Sequence, residues 1–86
     1  MASVEQVRNG ILQANEKAQE SLGALQAAST AIEQAKGALL QVVQGSNQPE
    51  AEQAAGMLDQ AMANLTETHQ QVTQAINTAE GYASRL

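Results

Sequence analysis

Cysteine, tryptophan and phenylalanine are missing from this chain, tyrosine and proline occur once each, and lysine and arginine together number only four in 86 residues. Without cysteine there is no disulfide to brace a small fold, no thiolate metal site and no thiol redox chemistry. With one aromatic ring the chain lacks the side chains that usually fill a compact core, so its core must be built from Ala, Val, Leu, Ile and Met. Arg8, Lys17, Lys36 and Arg85 are scattered among nine acids, and the formal net charge is −5. That balance argues against nucleic acid, which needs clustered cations to neutralise phosphates, and against docking on an anionic membrane surface. No apolar run approaches the roughly 20 residues of a membrane span. The N-terminus has Glu5 ahead of its first base and no apolar stretch, so it does not resemble a cleavable signal peptide. The expectation is one soluble domain, cytoplasmic or exported without a cleavable leader.

What the chain does have is helix-forming residues. Ala, Gln, Glu and Leu dominate both halves, and Gly45-Ser46-Asn47-Gln48-Pro49 is the one mid-chain cluster of turn formers. Ser3 and Gln6 have the spacing of a capping box, Gly45 suits a left-handed C-terminal cap, and Asn47 and Glu50 repeat the capping spacing. Pro49 is tolerated in a first turn, where its missing N–H costs no helical bond. Arg85 is placed in the last turn, where a cation favours the helix dipole. These signals predict a single domain over 1–86, with a helix over about 4–44, a turn over about 45–47 and a helix over about 48–85.

Hydrophobic periodicity pairs those helices. Val4, Ile11, Ala18, Leu25, Ile32 and Leu39 recur at heptad spacing, with Val7, Ala14, Ser21, Ala28, Ala35 and Val42 as a companion row. In the second half the rows are Ala51, Leu58, Leu65, Val72, Ala79 and Leu86, beside Ala54, Ala61, Thr68, Ala75 and Tyr82. A short turn makes neighbouring helices antiparallel, so the predicted fold is all-α, a long coiled-coil-like helical hairpin. Leu12, Leu22, Leu40 and Val43, with Met57, Met62 and Ile76, lie outside these rows and make the apolar arc wider than one partner helix can cover. They are the predicted interface residues. A two-helix unit of this size buries little on its own, so the hairpin is expected to pair with a second copy in a four-helix bundle, or with another helical protein. The run from Glu33 to Gln41 also resembles that from Glu52 to Gln60, with Gly37 and Gly56 expected on outer faces; Ala- and Gln-rich helices match one another readily.

No constellation points to catalysis. His69 is the single histidine, and Thr66, not Glu, stands three residues before it, so the Glu-x-x-His pattern of di-metal bundles is missing. The reading for His69 is the edge of the seam, in a structural or pH-sensing role. Glu16 and Glu20 share a helical face and Glu50 and Glu52 open the second helix. A straight helix cannot wrap the six or more oxygens that calcium takes, and acids in a first turn are explained by the helix dipole. Gly10, Gly23, Gly37, Gly56 and Gly81 fall singly and form no phosphate loop. No catalytic residue, metal, cofactor or small-molecule substrate is expected, and the chain is read as non-enzymatic.

Two equal Ala- and Gln-rich helices, a short central turn and Tyr82 near the C-terminus resemble the small helical-hairpin Trp-x-Gly proteins that travel through type VII secretion in Gram-positive bacteria. Here the turn carries no Trp, and the tail Tyr82-Ala83-Ser84-Arg85-Leu86 ends in Leu where that family's Tyr-x-x-x-acid export signal has an acid. The resemblance is therefore one of architecture. It implies paired hairpins, and it makes Tyr82 a candidate export signal in an exported substrate or pairing subunit of such a system.

Overall fold

The computed structural model describes residues 2–44 and 49–86. It contains α1, Val4–Val42, and α2, Pro49–Ser84. The capping box forms as expected: Ser3 Oγ accepts from the Gln6 N–H at 3.1 Å, and Gln6 Oε1 accepts from the Ser3 N–H at 3.0 Å. Helix α1 closes with the Val43 N–H donating to the Leu39 carbonyl. Gly45 and Asn47, expected as caps, lie outside the described residues. Pro49 opens α2, with Glu50 and Glu52 in its first turn. The far end corrects one expectation, because α2 stops at Ser84 and Arg85 lies just beyond it. There the Arg85 and Leu86 amides donate to the carbonyls of Tyr82 and Ala83, so the chain tightens into three-residue steps instead of continuing the helix.

The helices lie side by side and antiparallel in a body 64 × 18 × 15 Å. Two contacts fix the register. Near the open end Arg8 Nε donates to the Ala83 carbonyl at 3.4 Å, and toward the turn Lys36 Nζ meets Asp59 Oδ1 at 2.7 Å. Carried along both helices, this register sets Ile32 opposite Met62, Leu22 opposite Val72 and Ala18 opposite Ile76.

One heptad row in each helix is as expected. Ile11, Ala18, Leu25, Ile32 and Leu39 are half-buried, as are all six residues of the matching row from Ala51 in α2 to Leu86 just past its end; only Val4, at the open end, is exposed. The companion rows differ from expectation by one residue. In α1 the inward companions are Asn15, Leu22, Ser29, Lys36 and Val43; of the expected row Val7 and Ala28 are half-buried, whereas Ala14, Ser21, Ala35 and Val42 are exposed. In α2 they are Ala55, Met62, His69, Ile76 and Ala83; of the expected row Ala54 and Ala61 are half-buried, whereas Thr68, Ala75 and Tyr82 are exposed. The reason is side-chain size. Turning each helix toward the larger residues brings Leu22, Val43, Met62 and Ile76 between the helices, which removes far more apolar surface from water than a row of alanines would. Those four residues, expected on an outer interface, belong to the hairpin's own seam.

The seam is thin. Ala55 and Ile76 are the only apolar side chains among the described residues that are fully buried, at 6% and 5% exposure. Asn15, Ser29, Lys36 and His69 interrupt it, and Lys36 lays its aliphatic stem along the seam while its ammonium reaches Asp59.

Candidate interaction surface

With the seam rows fixed, the remaining positions divide between two long faces of the hairpin. Lys36 reaches Asp59, one shallow groove brings Gln26 together with Thr66, and another brings Leu12 and Gln19 together with Glu80. The flank of α1 through 5, 12, 19, 26, 33 and 40 therefore shares a face with the flank of α2 through 52, 59, 66, 73 and 80. It follows that the opposite flanks, through 7, 14, 21, 28, 35 and 42 and through 54, 61, 68, 75 and 82, share the other.

These faces differ in charge. The first flank pair holds Glu5, Glu33, Glu52, Asp59 and Glu80, five of the nine acids. The second is Val7, Ala14, Ser21, Ala28, Ala35 and Val42 beside Ala54, Ala61, Thr68, Ala75 and Tyr82, without a charged residue. Exposed Ala24, Ala31 and Ala38 broaden the second on α1, and Met57, at 68% exposure, borders it on α2 between the turns of Ala54 and Ala61. Lys17 and Glu50 stand at its margins, and Lys17 is drawn to Glu20 at 3.4 Å. The alanine flanks are what sequence periodicity had read as seam. The charge contrast was present in the same heptad positions but became visible only once the true companion row was known.

The predicted interface residues thus separate. Leu22, Val43, Met62 and Ile76 are internal. Leu12 and Leu40 are 61% and 42% exposed on the acidic face. They stand 28 positions apart, about 42 Å along a helix, so they form no continuous apolar patch. Met57 stands with the alanine face. Tyr82 is 48% exposed at the open end, on the same face as Val7, with Val4 also out at 48%.

His69 lies at the edge of the seam in a notch of about 260 Å³ lined by Leu25, Gln26, Ser29, Leu65, Thr66 and Gln70. His69 also borders an open groove of about 350 Å³ with Gln70, Thr73 and Gln74. Among the described residues no group of three or more His, Asp or Glu gathers around a common point. Glu16 and Glu20 face water, Glu20 with Lys17 beside it. No described helix is long and apolar enough to cross a membrane. Comparison of the chain with protein-family models, with curated proteins and with solved structures finds no match in any of the three.

Proposed function

We propose that this chain is a non-catalytic protein–protein interaction module, a helical hairpin that completes its fold by pairing with a second hairpin into a four-helix bundle. The observation that carries the reading is how much surface the hairpin leaves uncovered. Its accessible surface is 6413 Å², against about 4,900 Å² for a compact monomer of this mass. Its radius of gyration is 19.5 Å, where about 12 Å is usual for a compact chain of this length. A partner laid along the hairpin brings both quantities toward ordinary values and adds the buried apolar area that the two-residue core lacks. Thermal unfolding followed by circular dichroism across a hundredfold range of chain concentration tests pairing with itself, because dimerisation makes the midpoint rise with concentration. A fixed midpoint directs the search to a different helical protein.

A second reading, an exported substrate or pairing subunit of a type VII secretion system, draws support from Tyr82, whose ring is half-exposed at the end of α2. Tyr82→Ala is then expected to abolish export from the native host, and finding the wild-type protein only inside the cell contradicts that reading.

A further inference from the structure

The two long faces differ in what they can accept, and that difference selects the surface and its occupant. In a two-fold contact each patch meets a second copy of itself, so a face bearing charge of one sign repels its twin while an uncharged face does not. Lys36 pairs with Asp59 on the acidic face, and Glu5, Glu33, Glu52 and Glu80 keep that face net negative and self-repelling. We propose that the alanine face, running from Val7 and Tyr82 to Val42 and Ala54, is the surface on which a second copy of this chain docks. The proposal rests on the reading above that the hairpin acts by pairing.

Three further observations converge on this face. Beyond the Tyr82 phenol at its open end, the two hydroxyls of this face are already satisfied within their own helices, Ser21 Oγ donating to the Ala18 carbonyl at 2.6 Å and Thr68 Oγ1 to the Asn64 carbonyl at 2.9 Å. Their burial under a partner therefore strands no donor, the usual cost of covering a polar group. The body is 64 Å long and 18 Å wide, room enough for the approximately 800 Å² per partner that a stable interface buries. Alanine side chains along the middle of the face let two hairpins come to the short end of the usual 8–10 Å helix separation. Val42 at 82% exposure, Met57 at 68% and Tyr82 at 48% supply larger contacts toward its ends. A lipid surface is a poor occupant for the same face, because a chain of net charge −5 with Lys17 the one base near its middle has nothing to attract anionic headgroups.

The test compares the dimer dissociation constant of the full chain with those of Ala35→Glu, Ala75→Glu and Gln26→Glu, by sedimentation with circular dichroism on the same samples. All three sites are exposed, and Glu is a strong helix former, so helix content is retained. Ala35→Glu and Ala75→Glu, on separate helices, are each expected to weaken dimerisation at least tenfold, while Gln26→Glu on the acidic face stays within about twofold. Dimers that survive both alanine substitutions but dissociate in Leu12→Glu or Leu40→Glu move the contact to the other face and overturn the assignment while leaving pairing intact. A wild-type chain that stays helical and monomeric at every concentration overturns self-docking and leaves pairing with another protein as the surviving account.

Discussion

At the scale of single residues the fold depends on a few large side chains. Ile76, at 5% exposure, is the most deeply buried of them, and Ile76→Ala is expected to cost about 2–4 kcal/mol by leaving a cavity in a seam that has little else. Leu12→Ala, at 61% exposure, is expected to stay within about 0.5 kcal/mol in chemical denaturation of the same chain. Loss of stability at both positions alike would mean that the acidic face is covered. The glycines offer the opposite experiment. A Cβ built at Gly23 or Gly37 meets nothing within 4 Å, so each Gly→Ala is expected to add about 0.5–1 kcal/mol through the unfolded chain alone. A falling thermal midpoint in either variant would mean that a partner backbone occupies that space. Met62 shows how burial changes an experiment, since a charge there would break the hairpin itself and say nothing about association.

At the scale of the helix, the seam is defined by size before polarity. Both helices, their antiparallel pairing and one correct heptad row in each were legible in the sequence, because Leu, Ile and Val at sevenfold spacing and Ser3 with Gln6 are strong local signals. Most of the second row was not, because alanine serves equally as a small core residue and as the best residue for an exposed helix. Ala14, Ala35 and Ala75 therefore look apolar in the pattern while carrying too little surface to decide which way a helix turns, and Leu22, Met62 and Ile76 decide it. The division of the exterior into an acidic and an uncharged face follows from that rotation, so it could not be read before the register was known. Lys36 carries a prediction at this scale. Its ion pair with Asp59 is partly exposed, with side-chain exposures of 31% and 55%, and such pairs are worth at most about 1 kcal/mol. Lys36→Leu is therefore expected to raise the thermal midpoint by extending the apolar seam, whereas Asp59→Ala shifts it little. A midpoint lowered by Lys36→Leu would show that the ion pair, and not the stem's packing, holds that layer.

At the scale of the molecule, the balance is between a narrow seam inside and a long uncharged face outside. Because the dimer contact is drawn on the face without charge while both copies carry net −5, added salt screens repulsion between whole molecules and has no interfacial ion pairs to weaken. Association is expected to tighten between low and moderate sodium chloride; loosening would indicate an interface made of ion pairs and a different face. The central claim is that the hairpin is half of a structure. The most direct test is the solution mass of the purified chain by sedimentation equilibrium, with helix content measured at the same concentrations. The account predicts a strongly helical species near twice 9.0 kDa that loses helix as dilution drives it to monomer. A species of 9.0 kDa that keeps full helix content on dilution and unfolds cooperatively by itself would contradict it.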